Sequence, residues 1–284
     1  MLPIITLTTD FGTSDPYVAI MKGVILGIAP EVRLIDVTHE VPPQDVFAAA
    51  VVLESAVSFF PRGTIHLAVV DPGVGSNRKA VAIETEAGHF LVGPDNGIFS
   101  AVLERDPPVE AVCLDREEYH RTPVSRTFHG RDIFAPAAGH LARGVAIGKL
   151  GSTLDELTRM QMPGPIARGN HLQLHVLAID RYGNIITDLT REAFESWRGG
   201  TPPQRIGIRL RGAEIHGLAT TYGDVPGAQP VAYFGSTDRL EIAVSQGSAS
   251  AVFQLDIGEI IQVFKLNHVT DDATNGRAVT ATPD

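Results

Sequence analysis

Two short segments carry polar groups that a purely structural chain has little use for. Asp71 and Arg78 fall within Val69-Val70-Asp71-Pro72-Gly73-Val74-Gly75-Ser76-Asn77-Arg78-Lys79, and His129 within Thr127-Phe128-His129-Gly130-Arg131-Asp132-Ile133-Phe134. Each adjoins an apolar run, where a buried element meets a loop, and scaffold-borne loops concentrate binding and catalytic groups. A carboxylate, a guanidinium and an imidazole together can position and deprotonate a water without a metal. Pro72-Gly73-Val74-Gly75 turns the backbone sharply, which lets Arg78 fold back on Asp71. The pair reads either as an ion pair bracing a glycine loop or as an Asp held charged to accept a proton or orient a water. His129 reads either as a packing histidine or as a site group beside which Gly130 clears space. The other nine histidines lie on strands, on a helix face, or in surroundings poorer in charge and glycine.

Asp10, in Thr8-Thr9-Asp10-Phe11-Gly12, ends the first apolar run. A carboxylate there can accept two hydrogen bonds from a ribose diol; an N-cap or Asx-turn explains it equally. Gly93-Pro94-Asp95-Asn96-Gly97 is explained by turn and cap chemistry, with Asn96 a second choice as a site residue. Asp180-Arg181-Tyr182-Gly183-Asn184 is an ordinary hairpin turn. As a site it offers a carboxylate for an ammonium, an aromatic face for a base or sulfonium, and an amide for a purine edge. Ser236 and Ser245-Gln246-Gly247-Ser248-Ala249 add backbone and hydroxyl groups but are weak signals alone. No metal is expected: Asp10, Asp71, Asp95, Asp132 and His129 can be drawn together as a hard-metal site, yet nothing in their spacing requires one.

These residues need elements to position them. Ile4 to Thr9 is a β-branched strand, and Ser14-Asp15-Pro16 supplies an N-cap and first-turn proline for a helix from Tyr17 to Ala29, apolar nearly all round. Strands follow at Arg33 to Val37, Thr64 to Val70, Ala80 to Thr85 and Phe90 to Val92. Helices fall from Val46, capped by Asp45, to about Phe60, at Ile98 to Leu103, and at Ile133 to Leu141. Cys113, the lone cysteine, reads as a buried strand residue. Strands without polar alternation, interleaved with helices, predict a parallel or mixed sheet covered on both faces. Ligands in such sheets bind beyond the C-terminal strand ends, where Asp10 and Asp71 fall. Gly151 to Asn170 reads as a linker. Beyond it, short strands between Gly-rich turns, with one helix from Arg191 to Trp197, predict a small β-barrel or sandwich. The expected domains are an α/β unit over 1–165, a β unit over 171–266, and a polar, disordered tail over 267–284.

Composition excludes several classes. The chain has 284 residues, 44% hydrophobic and 20% charged, enough for two globular domains. Its formal net charge is -10, and no basic stripe suggests nucleic acid. One cysteine excludes an internal disulfide and fits a reducing, cytoplasmic setting. The N-terminus reads as a strand rather than a signal peptide, and no apolar run approaches the roughly 20 residues that span a bilayer.

Taken together, Thr8–Gly12, Val70–Arg78, Gly93–Gly97, Thr127–Asp132 and Asp180–Asn184 resemble, in family order over about residues 2–265, the S-adenosylmethionine (SAM) hydroxide adenosyltransferases. These are relatives of the SAM-dependent fluorinases and chlorinases. The resemblance implies an N-terminal α/β domain, a barrel-like C-terminal domain, and a homotrimer with SAM at subunit interfaces. It implies hydrolysis of SAM to adenosine and L-methionine, with SAM as substrate and no cofactor or metal. Asp71, Arg78 and His129 become the water-handling triad, flanked by Phe128 and Gly130 in the substrate site. Asp10 holds the ribose hydroxyls, Asp180 the methionine ammonium and Asn184 the adenine edge. Tyr182 replaces the usual Phe, Asp188 stands where Asn is commoner, and Ser236 and Gly247–Ala249 match weakly. In the halogenases the position of Asp71 holds Tyr and that of Gln44 holds Trp. A carboxylate at the former repels a halide, which places this sequence on the water side.

Overall fold

The computed structural model describes residues 2–266, so the expected tail over 267–284 lies outside the described residues. The chain divides into two compact units between Pro163 and Gly164. In the first, strands β1 (Ile4–Thr9), β2 (Arg33–Thr38), β3 (Ile65–Val69), β4 (Ala80–Thr85), β5 (Phe90–Pro94), β6 (Pro108–Cys113) and β7 (Ser152–Thr153) form one sheet in the order β2-β1-β3-β5-β4-β6-β7. β2, β1, β3 and β5 run parallel; β4, β6 and β7 are antiparallel to their neighbours. The mixed sheet predicted from the apolar strands is therefore present.

Helices α1 (Tyr17–Ile28), α2 (Val46–Ala56), α3 (Ser100–Arg105) and α4 (Ala135–Ala142) cover both faces. On β3, Ile65, Leu67 and Val69 pack towards α1 and α4, while Ala68 and the following Val70 pack towards α2 and α3. This alternation, with both faces apolar, is why the strand shows no polar period. Asp45 caps α2 as expected, accepting from Ala48 N–H at 2.9 Å. The cap foreseen at Ser14-Asp15 does not form: Pro16 takes the N-cap position of α1 and no side chain caps it. The helix expected from Ile133 instead begins as a π-turn over Gly130–Phe134 that runs into α4. The stretch read as a linker is tied down. Asp115 accepts from Ser152 N–H, which seats β7, and Asp95 accepts from Thr158 N–H and hydroxyl at 2.8 and 3.1 Å. Cys113 is half-buried rather than buried, because β6 pairs on its outer side only with the two-residue β7.

His66, on β3, is 1% exposed. Its Nδ1 lies 2.9 Å from Thr6 Oγ1 and its Nε2 3.4 Å from His89 Nδ1. Burial, and secondarily the neighbouring His89, push its pKa from 6.5 down to about 3. The unfolded chain thus takes up a proton below pH 6.5 that the folded chain refuses until about pH 3. Stability contributed by this group falls as pH is lowered through that window, by about 1.4 kcal/mol per pH unit. Urea unfolding at successive pH values is expected to show this slope, and His66→Asn to flatten it; an unchanged slope in the variant would refute the assignment.

The second unit comprises β8 (Ile166–Arg168), β9 (His171–Ile179), β10 (Ile185–Thr190), β11 (Ile206–Leu210), β12 (Ala213–His216), β13 (Pro230–Phe234), β14 (Arg239–Val244) and β15 (Ile260–Lys265), with helices α5 (Arg191–Arg198) and α6 (Ala249–Phe253). The sheet is antiparallel throughout, in the order β12-β11-β15-β9-β10-β14-β13, with β8 on β9. Ala219 N–H, just past β12, donates to Ala232 O on β13, so the two ends of the sheet approach and the sheet curls almost into a barrel. Leu174, Val176, Ile208, Ile242 and Ile261 fill its interior.

Candidate active site

β1 lies between β2 and β3, and the chain from β1 crosses to β2 on one side while β3 flanks the other. A crevice forms where strand order reverses in this way, beyond the carboxyl ends. Asp10 follows β1 directly, and Asp71 follows β3 by two residues. Both line a cavity of about 400 Å³ with Phe11, Tyr17, Gln44, Phe128, His129 and Gly130.

Arg78 closes on Asp71 as the spacing predicts. Its Nε donates to both carboxylate oxygens at 2.9 and 3.1 Å, and its Nη2 donates to Oδ2. The side chains are only 10% and 5% exposed. Gly75 permits the turn: φ is +77°, and a Cβ would stand 2.4 Å from the Arg126 carbonyl oxygen. Asn96 braces the same turn through Nδ2–H to Val70 O at 2.9 Å, a structural role in place of a site role.

The guanidinium also reaches His129. Nη2 lies 2.8 Å from Nδ1. An arginine only donates, so Nδ1 accepts and the ring proton of neutral His129 sits on Nε2. Burial first, and then the Arg78 charge, lower the imidazole pKa below 6.5, outweighing Asp71 and Asp132. The imidazole is therefore neutral at pH 7, an N–H donor at Nε2. Asp132 fixes the loop that carries it. Fully buried, it accepts from Arg131 Nε and Nη2 at 2.6 and 2.8 Å and from Ser125 N–H at 2.9 Å. Burial raises its carboxyl, but these donors prevail and hold it below its ordinary value. Asp10 Oδ2 accepts Gln44 N–H at 2.8 Å, with Gln44 at φ 67°. Beside it Phe11 and Tyr17 pack edge-on to Phe128, at 6.0 and 5.2 Å, and tilted to each other at 5.7 Å.

In the second unit the Asp180–Asn184 turn joins β9 to β10. Asp180 Oδ1 accepts from Tyr182 N–H and Asn184 N–H, both at 2.8 Å, and Oδ2 accepts from Asn184 Nδ2 at 2.9 Å. Tyr182 and Asn184 line a cavity of about 540 Å³ with Tyr222 and residues 243–247. Ala249 is buried at the start of α6, and the preceding Ser248 packs on Gly183, where a Cβ would lie 2.0 Å from its hydroxyl. Ser236 lies exposed in the turn entering β14, whereas the cavity opens at the far end of that strand. Asp188 is paired with His175, Nδ1 to Oδ2 at 2.7 Å.

Residues 5–151 match the SAM hydroxide adenosyltransferase N-terminal domain, and residues 174–262 match its C-terminal domain. The chain belongs to the SAM hydroxide adenosyltransferase family. Among its relatives, a protein of Thermus thermophilus named (R)-S-adenosyl-L-methionine hydrolase is 40% identical over 91% of this chain and 98% of its own. One of the same name from Salinispora tropica is 36% identical over 92% and 97%. A fluorinase of an Actinoplanes species stands further off, at 27% identity over 93% and 98%. A crystal structure of an uncharacterized conserved protein from Thermotoga maritima superposes with a TM-score of 0.87 at 34% identity, covering 92% of this chain and all of that one.

Within this adenosyltransferase chain the structure brings Asp71 and His129 onto the one Arg78 guanidinium and sets Asp10, Phe128 and Gly130 around the same cavity. It groups Asp180, Tyr182 and Asn184 in the second unit. Phe11, Tyr17 and Tyr222 are lining residues that sequence reasoning misses; Phe11 and Tyr17 adjoin Asp10 and the predicted helix start, which is a usable signal, whereas Tyr222 adjoins no motif. Among the described residues, no group of three or more His, Cys, Asp or Glu is placed to hold a metal ion. No helix among them is long and apolar enough to cross a membrane.

Proposed function

We propose that this protein hydrolyses SAM to adenosine and L-methionine, with Asp71, Arg78 and His129 handling the attacking water. The observation that carries this reading is the Arg78 guanidinium shared between Asp71 and His129 at the edge of a cavity that also holds Asp10. Water attacks C5′ of the adenosyl group as the C5′–S bond breaks. The sulfonium leaves as a neutral thioether, methionine, so no acid is needed. The water proton must go to a base. Arg78 stays protonated, His129 Nδ1 is filled by Arg78, and His129 Nε2 carries a proton. Asp71 is left as the acceptor, and His129 Nε2–H as a donor that orients the water. Positioning in line with the bond that breaks supplies up to ~7–11 kcal/mol. Asp10 takes the ribose hydroxyls, Asp180 the ammonium and Asn184 the adenine edge, with Tyr182 and Phe128 as aromatic walls. Gly130 serves as close-approach backbone. No cofactor or metal takes part. The working form is a homotrimer that places SAM at subunit interfaces, in the cytoplasm.

Incubation with SAM followed by product chromatography tests this. Adenosine and methionine are expected in equal amounts, unchanged by EDTA. SAM recovered bound but intact would make the protein a binding module. Halogenated adenosine formed with added halide, or metal-dependent phosphate release, would each move it to another class.

A further inference from the structure

A buried hydrogen-bond chain ends on the backbone beside Asp10 and takes no part in the steps above. Thr9 Oγ1 lies 2.8 Å from His39 Nδ1, and both side chains are buried. Phe11 N–H donates to the same hydroxyl oxygen at 3.3 Å. His39 O accepts Gly12 N–H at 2.8 Å, so His39 grips residues 9–12 by both side chain and main chain. On the far side of the ring, Nε2 stands 3.0 Å from Asp36 Oδ1, a bent approach short of a full hydrogen bond. Lys22 Nζ in turn holds Asp36 Oδ2 at 2.6 Å.

The proton directions follow from the donors. The Asp36 carboxylate only accepts, so in the neutral ring the proton sits on the Nε2 that faces it, and Nδ1 accepts the Thr9 hydroxyl proton. The Thr9 oxygen keeps a lone pair for Phe11 N–H. The buried Thr9, Phe11 and His39 groups thus have one consistent set of donors and acceptors. Asp10 is the residue between the two that meet at the Thr9 hydroxyl. Its carboxylate is fixed from outside by Gln44 N–H, on the chain that leaves His39.

We propose that Thr9 and His39 are positioning residues that hold the Asp10 carboxylate at the angle that receives the ribose hydroxyls of the substrate. This rests on the reading of Asp10 given under the proposed function. Thr9→Val keeps the shape and removes the hydroxyl. It is expected to raise KM for SAM roughly fivefold with kcat nearly unchanged, the loss of about one well-placed hydrogen bond. Discrimination between SAM and its 2′-deoxyribose analogue falls by the same factor, because the misplaced group is the one that reads the diol. A residue that only stabilised the strand end would leave that ratio alone. His39→Asn keeps an acceptor where Nδ1 stands and is expected to match the unaltered enzyme. His39→Gln, with its amide where Nε2 stands, is expected to behave as Thr9→Val does. Should Thr9→Val fail to fold, the two His39 variants make the same comparison. Unchanged selectivity in Thr9→Val, or His39→Asn and His39→Gln alike, overturns the proposal. An unaltered chain that releases no adenosine from SAM instead overturns the reading beneath it, and this one with it.

Discussion

Asp71→Asn is expected to lower adenosine release by about 10²–10⁴-fold, the usual size of general-base assistance, while SAM still binds. Asparagine keeps the shape of the side chain and removes the one group in the triad able to take a proton. Arg78 cannot substitute, since its guanidinium donates at every position. His129 cannot either, because its only free lone pair is spent on Arg78 Nη2. Single-turnover chromatography gives the rate, and equilibrium dialysis with SAM gives the binding. If Asp71→Asn turns over within about tenfold of the unaltered chain, Asp71 is not the base.

Arg78→Met is expected to cost about 3–5 kcal/mol of folding stability as well as activity, because it strands a buried carboxylate. Asp71 is 5% exposed, and among the described residues Arg78 is the only side chain that donates to it. Methionine keeps an unbranched apolar stem but gives up the guanidinium's place over the Phe134 ring, 5.2 Å from Arg78 Cζ. The loss in the single variant therefore combines the stranded charge with that ring contact, and a second change separates them. Adding Asp71→Asn to Arg78→Met removes the stranded charge and is expected to recover part of the stability. Urea unfolding of both variants decides: a double variant no more stable than Arg78→Met would mean that the carboxylate was never uncompensated.

Much of this was legible because the chain obeys local rules where it builds its scaffold. β3 is apolar on both faces because α1 and α4 cover one and α2 and α3 the other. The Asp45 cap and the Asp180 turn were readable because short side chains bonding their own backbone act within a few residues. The seven-residue span from Asp71 to Arg78, with two glycines between, allowed only a tight return. What stayed hidden depends on distant partners. Ser14 and Asp15 look like caps, but Pro16 sets the start of α1 without them. The supposed linker is anchored by Asp95 and Asp115, carboxylates from elsewhere in the unit. Asp132 looked like part of a catalytic motif, and its full burial against Arg131 shows it to be the anchor of that motif's loop. The partner choice of His39 needs β2 beside β1, which no window of sequence reveals.

The π-turn at Gly130–Phe134 has a further consequence. A π-turn is one residue longer than the α-turn it replaces. Shortening this stretch by one residue would let the helix wind regularly and swing whatever precedes it by about 100° around the axis. His129 is what precedes it. From His129 to α4 the length of the chain is therefore fixed by the direction in which the ring must point.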